Sequence, residues 1–181
     1  MNNAKLINQD SGKTEYGTPT DIIERARRTM GGIDLDPASS KAFNKNVDAL
    51  CFYDKESNGL LAPHWHGNVW MNHPYGKNNT LWIKKLIHEY ECGNVRQALC
   101  ITWASLGSAW FSDLLKYPQC FLYKRPNFIG IDGKPKTSPP KGAAVTYFGP
   151  KPNLFQLNFV EIGAVKVLLS LAWRFIKNEI Q

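Results

Sequence analysis

The stretch Asn68-Val69-Trp70-Met71-Asn72-His73-Pro74-Tyr75-Gly76 constrains the fold of this chain more than any other. A short β-branched and aromatic run reads as a buried strand, and it stops abruptly at an Asn, an X-Pro step, an aromatic and a Gly. The polar and aromatic groups therefore fall on a loop at the strand's carboxyl end, the position at which open α/β sheets bind ligands. Asn72 offers a side-chain carbonyl acceptor. Pro74 forces the residue before it into an extended conformation that projects its own carbonyl, and Tyr75 supplies a flat π-face. Together these groups can grip an exocyclic amino group on a stacked base.

The rest of the pattern alternates between helix and strand. Ile22, Ile23, Ala26 and Met30 have helical spacing, with Thr20-Asp21 as cap candidates and Gly31-Gly32 as the stop. Strands are expected at Ile33 to Leu35, Leu50 to Tyr53, Gln97 to Trp103 and Cys120 to Tyr123. Helices are expected around Ser40 to Asn46, through Trp82, Ile83, Leu86, Ile87 and Tyr90 to Gly93, and from Ser108 to Tyr117. Beyond them Phe128-Ile129 and Ala143 to Phe148 read as strands, Phe155 to Phe159 as a further one, and Glu161 to Lys177 as an amphipathic helix. Residues 1–13 are polar without a period and read as a flexible arm, leaving 14–181 as one domain. The expected class is α/β, with a β-rich C-terminal part.

Composition narrows the function. The 181 residues are 43% hydrophobic and 20% charged, which fits one globular domain and not a disordered chain. Twenty-two basic against 15 acidic residues give a formal charge of +7, favouring an anionic partner. Cys51, Cys92, Cys100 and Cys120 lie far apart without a C-x-x-C pair or a secretory signal, so reduced thiols in a cytoplasmic setting are expected. The apolar run Val165 to Phe175 is interrupted by Lys166, Ser170 and Arg174 and is too short to span a membrane.

Asn72-His73-Pro74-Tyr75 resembles the Asp/Asn/Ser-Pro-Pro-aromatic motif of DNA amino-methyltransferases, with His73 where a Pro is usual. The chain from about Glu15 to Gly149 resembles the small phage-type DNA N6-adenine methyltransferases. The residues carrying this resemblance are Glu15-Tyr16-Gly17-Thr18-Pro19, Ile33-Asp34-Leu35-Asp36-Pro37-Ala38-Ser39, Asn44, Tyr53, Asn58-Gly59-Leu60 and Trp65. After the motif come Trp103-Ala104-Ser105, Trp110-Phe111, Lys124-Arg125-Pro126-Asn127-Phe128 and Ser138-Pro139-Pro140-Lys141-Gly142, in the family's order. The resemblance implies a Rossmann-like S-adenosylmethionine-dependent sheet with helices on both faces, and methyl transfer to N6 of adenine in base-flipped DNA. Cytosine N4 methylation, or a DNA-binding protein that keeps the fold after losing catalysis, are the alternatives.

It also implies roles. Asn72, the carbonyl of His73, Pro74 and Tyr75 would form the catalytic loop. Tyr16, Thr18 and Pro19 resemble the segment packing against the cofactor's methionine portion, and Asp36, Pro37, Ala38 and Ser39 resemble the Asp/Glu-Pro-Ala stretch that holds S-adenosylmethionine. The usual glycine-rich continuation is absent. An acid for the ribose hydroxyls should follow the second strand, where Asp54 and Glu56 both stand. Arg125, Lys134, Lys136 and Lys141 are candidates for DNA phosphates. His64-Trp65-His66 and His73 suggest a metal, yet no Asp, Glu or Cys completes a ligand spacing, so none is assigned; Trp65 reads as a core or pocket-wall residue.

Overall fold

The computed structural model of the protein describes residues 16–76, 78–136 and 141–167. The arm at 1–13 and Ser138-Pro139-Pro140 lie outside these residues. Helix α1 (Thr20–Met30) is followed by β1 (Leu35–Asp36), α2 (Lys41–Val47), β2 (Cys51–Phe52), β3 (Gly67–Met71), α3 (Asn79–Glu91) and β4 (Val95–Trp103). Next come α4 (Ala109–Ser112) with a 3-10 turn (Asp113–Lys116), β5 (Gln119–Leu122), β6 (Ala143–Phe148), α5 (Pro152–Phe159) and β7 (Gly163–Lys166).

The strands form one seven-stranded sheet in the order β2-β1-β3-β4-β6-β5-β7. The first four are mutually parallel, whereas β6 runs antiparallel to β4 and β5, and β7 antiparallel to β5. This is the mixed α/β architecture with a β-rich end that the sequence pattern predicts. From β1 the chain turns outward to β2 and then returns to place β3 on the other side of β1. The order reverses there, and the crevice beyond the carboxyl ends of β1 and β3 becomes the ligand position of such a sheet.

Period-two alternation sorts the strand side chains between two cores. Trp70, Leu99, Ile101, Val145 and Tyr147 pack with Ile22, Ile23, Ala26 and Met30 of α1 and Phe155 and Phe159 of α5. Val69, Met71, Ala98, Cys100, Ala144 and Phe148 point the other way, against Trp82, Ile83 and Leu86 of α3 and Phe111 of α4. Helices therefore cover both faces.

The amino ends of the strands are closed by polar groups that satisfy one another. Asn68 Nδ2 and Gln97 Nε2 both donate to the Met30 carbonyl (3.1 and 2.9 Å), and the Tyr147 hydroxyl donates to Gln97 Oε1 at 2.8 Å. The loops that follow β1, β3 and β4 are left at the opposite end.

Three expectations are corrected. Phe155 to Phe159 is helical, because Pro152 sits at the first helical turn and Phe155 and Phe159, four apart, turn the same face to the core. Gly163–Lys166 is an edge strand and not the start of a tail helix. At Gly163 a Cβ would collide with Cys120 Sγ and lie 2.5 Å from the Phe121 carbonyl oxygen, so the pairing with β5 requires glycine. The tail beyond Val167 lies outside the described residues. Phe128-Ile129 forms no strand, only single bridges from Ile129 to Gly17 and to Pro135. A smaller difference concerns the start of α1, where Pro19 stands at the cap and Thr20 Oγ1 donates instead to Asn46 Oδ1 at 2.8 Å.

Candidate active site

Two adjacent parallel strands deliver the two predicted motifs to one end of the sheet. Leu35 is in register with Val69, so Asp36 at the end of β1 and Asn72 just past β3 emerge side by side at the order reversal. The carboxyl end of β4 adds Trp103, and the loop after β5 adds Arg125 and Phe128.

Asn72 is half-buried and held from three directions. Its Nδ2 donates to the Tyr16 carbonyl at 2.6 Å and to Thr18 Oγ1 at 3.1 Å, while its Oδ1 accepts from the Tyr75 hydroxyl at 3.1 Å. The Tyr16 segment is fixed by a two-way bridge in which the Gly17 and Ile129 amides each donate to the other's carbonyl at 2.7 Å. Thr18 is buried, and its carbonyl accepts from Asn46 Nδ2 at 2.8 Å. Tyr16 and Thr18, expected beside the cofactor, thus both contact Asn72.

Tyr75 does not stand alone as a platform. Trp103 stacks on it with centroids 4.5 Å apart and planes inclined 28°, and Phe128 meets it edge-on at 6.0 Å. Phe128 also contacts Tyr16 at 6.4 Å and Trp103 at 5.7 Å, which closes an aromatic cluster around the loop. Burial pushes the Tyr75 phenol well above its ordinary range, so it remains a hydrogen-bond donor to Asn72. Trp103 and Phe128 were visible in the sequence as parts of the ordered resemblance, but no local signal assigns them to the site.

The His73 ring turns inward. It is 1% exposed, lies nearly parallel to Trp82 (8°, centroids 6.4 Å), and Trp82 in turn stacks on Trp65 at 6.0 Å. Trp65 is the core residue expected, fully buried with Nε1 donating to the Gly59 carbonyl at 2.9 Å. Because a carbonyl can only accept, the 3.0 Å contact of His73 Nδ1 with the Pro74 oxygen places the ring proton on Nδ1 and leaves Nε2 a buried acceptor without a partner among the described residues. Burial lowers the ring's pKa to about 4.

The folded state therefore prefers neutral His73, and the stability this contributes is lost as pH falls from about 6.5 towards 4, up to about 3 kcal/mol by linkage. His73→Phe, which keeps the stack and removes the orphan nitrogen, is expected to be at least as stable at pH 7 and to lose this acid sensitivity. Urea unfolding at pH 7 and pH 4.5 measures both; an identical pH dependence in the variant would place the acid-sensitive group elsewhere.

The Asp36 turn forms the second half of the site. Asp36 is 3% exposed, and its Oδ1 accepts from the Ala38 amide at 3.1 Å. Burial raises its carboxyl to about 7, offset in part by that amide and by the nearby Ser39 hydroxyl. Ser39 is itself 9% exposed, so its hydroxyl sits in the same buried turn. The Tyr53 amide donates to the Asp36 carbonyl (3.0 Å) and the Ser39 amide to the Tyr53 carbonyl (2.8 Å), which ties the turn to the end of β2. Pro37 is held by Gly59, where any Cβ would collide with the Pro37 carbonyl oxygen. That contact gives Asn58-Gly59-Leu60 a physical reason to accompany the turn.

Asp54 follows β2. Its Oδ1 accepts from the Ser57 amide, the Ser57 hydroxyl and the Glu56 amide (2.9, 2.7 and 3.1 Å), and these bonds hold its carboxyl below the usual range. Glu56 is exposed on the same turn.

Of the basic candidates, Arg125, Lys134 and Lys141 are exposed; Lys136 Nζ pairs with Asp132 Oδ2 at 2.7 Å. Lys134 and Lys136 sit on a short loop closed by the Gly130 amide donating to the Lys134 carbonyl and the Lys136 amide to the Phe128 carbonyl (2.9 and 2.7 Å). The bridge from Ile129 to Gly17 ties this loop to the Asn72 contacts. His64 lies beside Glu89 and Asn94, away from the His73 stack, and no group of three metal-ligating side chains converges among the described residues. No helix among them is long and apolar enough to cross a membrane.

The family model described as DNA N-6-adenine-methyltransferase (Dam) matches residues 7–150, a span that contains the Tyr16 segment, the Asp36 turn, the Asn72 loop and all four basic candidates. No individual curated protein matches the chain.

Proposed function

The chain belongs to the DNA N-6-adenine-methyltransferase family, and on that premise we propose that it transfers a methyl group from S-adenosylmethionine to N6 of an adenine flipped out of DNA. The observation that carries the reading is the juxtaposition of Asn72 and Asp36 at the carboxyl ends of β3 and β1, where the strand order reverses. The Rossmann-like character is supported by the parallel half of the sheet and the helices on both of its faces.

The residues beside Asp36 fit the cofactor. The buried Asp36 carboxyl and the buried Ser39 hydroxyl beside it are polar groups that a nucleoside or amino-acid moiety would engage. The small side chains of Ala38 and Ser39 let it approach the backbone, Asp54 just past β2 is the acid assigned to the ribose, and Tyr16 and Pro19 wall the other side, with the Thr18 hydroxyl turned to Asn72 instead. When bound, S-adenosylmethionine supplies an electrophilic sulfonium methyl. The chain's own task is orientation: Asn72 Oδ1 and the His73 carbonyl accept from the target amine, and Pro74 holds that carbonyl extended.

Flipping the base costs a few kcal/mol and stacking on an aromatic returns about 1–3 kcal/mol, which assigns Tyr75, backed by Trp103, to the base. No thiol is needed. Burial pushes Cys100 and Cys120 up to about 12, so both stay protonated. The packed His73 ring supports an active enzyme, since the unusual residue is absorbed by the core beside Trp82.

The direct test is incubation with labelled S-adenosylmethionine and unmethylated DNA, followed by nucleoside analysis. N6-methyladenine is the expected product; N4-methylcytosine would redirect the reading to the other exocyclic amine, and no product together with no cofactor binding would identify a decayed enzyme.

The basic loop is assigned to phosphates. Neutralising Lys134 and Lys141 together should flatten the log–log salt dependence of duplex binding by about 0.9 for each true contact. Lys136→Gln should change it less, because its amine is already paired with Asp132. Fluorescence anisotropy across a salt series reads the slope, and a slope equal to the parent's would leave the loop merely solvated.

A further inference from the structure

A side-chain amide is useful to a target amine only if its oxygen faces the substrate, and an Asn can be turned through 180° about its last torsion at little intrinsic cost. In this site the choice is made by the Tyr16 carbonyl. It accepts from Asn72 Nδ2 at 2.6 Å and has no proton to give, so the reversed amide would set two acceptors against each other. The Thr18 hydroxyl accepts from the same Nδ2 at 3.1 Å, occupying its second hydrogen, and the Tyr75 hydroxyl donates to one lone pair of Oδ1. Both donors of the amide and one of its two acceptor positions are thereby used, and a single lone pair remains for the substrate.

We propose that Thr18 and the Tyr16 carbonyl form a clamp that fixes which end of the Asn72 amide meets the target amine, making Thr18 a positioning residue of the methyl transfer. This inference rests on the methyltransferase reading of the site. Burial supports it: Thr18 is 2% exposed, so no water competes for the contact. The segment is anchored from outside by the Gly17–Ile129 bridge and by Asn46 Nδ2 on the Thr18 carbonyl, leaving the hydroxyl itself for Asn72. The clamp also explains why this chain carries Asn and not Asp at position 72. A carboxylate would face the Tyr16 oxygen without a hydrogen between them.

The test compares the parent with Thr18→Val, which keeps shape and removes the hydroxyl, and Thr18→Ser, which restores it. Turnover of Thr18→Val should fall at least about tenfold, with KM for S-adenosylmethionine and its calorimetric Kd within about twofold of the parent's and the melting temperature little changed, and Thr18→Ser should recover most of the loss. A Kd weakened in step with turnover would make Thr18 a cofactor contact, and unchanged turnover would make it structural; either result overturns the clamp. A second readout needs no activity. The Asn72 side-chain NH2 protons should exchange with solvent faster in Thr18→Val than in the parent, and equal exchange rates would also overturn the clamp. If the parent itself yields no methylated DNA, the methyltransferase reading fails, while the exchange measurement still decides whether the clamp exists.

Discussion

Asn72→Ala is expected to lower kcat by at least about 100-fold while leaving S-adenosylmethionine affinity within a fewfold of the parent's. In the proposed reaction the side chain's remaining acceptor meets the target amine, and removing one preorganised polar group aimed at developing charge costs about 10²–10³ in rate in comparable sites. The truncation also leaves the Tyr16 carbonyl, the Thr18 hydroxyl and the Tyr75 hydroxyl without their shared partner, at a stability cost of about 1–3 kcal/mol. Activity should therefore fall far more than stability. Asn72→Asp separates orientation from charge: an enzyme needing only an acceptor would tolerate it, whereas the 2.6 Å approach of the Tyr16 oxygen predicts a loss comparable to that of alanine. Single-turnover kinetics with saturating cofactor, alongside thermal melts, distinguish these outcomes, and near-parent turnover of Asn72→Ala would remove Asn72 from the reaction.

The placement of Asn72 was legible in the sequence because it depends on local rules. A buried five-residue strand, an X-Pro step and an aromatic constrain the loop wherever the rest of the chain lies. The Asp36 turn was legible for the same reason. What holds Asn72 was not, because Tyr16 and Thr18 are 56 and 54 residues away and a contact of that range leaves no periodic trace. Likewise the letters His73 could not show which way the ring turns; that is decided by Trp82 and Trp65, which stack beneath it. At the C-terminal end, the aromatic content of Phe155 to Phe159 suggested a strand, although Pro152 and the four-residue spacing were the available helix signals. Gly163–Lys166 shows the converse. Its strand is set by pairing with β5, a long-range partner that outweighs the helical spacing of Ile162 and Val165.

Asp36→Asn should make the protein more stable at pH 8 and a poorer enzyme. The Asp36 carboxyl is raised from 3.8 to about 7 by burial, so between these values the folded chain holds a proton that the unfolded chain has released. Stability then falls as pH rises from about 4 to about 7, and the full penalty, at most about 4 kcal/mol, is present above 7. Asn removes the charge and keeps an acceptor for the Ala38 amide. The two proteins should therefore converge in stability near pH 4 and separate as pH rises. His73 imposes the opposite slope between about 4 and 6.5, which hides much of the Asp36 effect in the parent and leaves it uncovered in His73→Phe. The penalty is the cost of keeping an ionised acceptor in the proposed cofactor crevice, and it would be offset when a ligand's donors reach it. S-adenosylmethionine affinity should accordingly drop by about 1–3 kcal/mol in Asp36→Asn at pH 8, and the gap should narrow below pH 7 as the parent's own carboxyl protonates. Urea unfolding at pH 5 and 8 and calorimetry at pH 6 and 8 test the two halves together. Equal stability at both pH values with unchanged affinity would reduce Asp36 to a turn-former acting through Ala38.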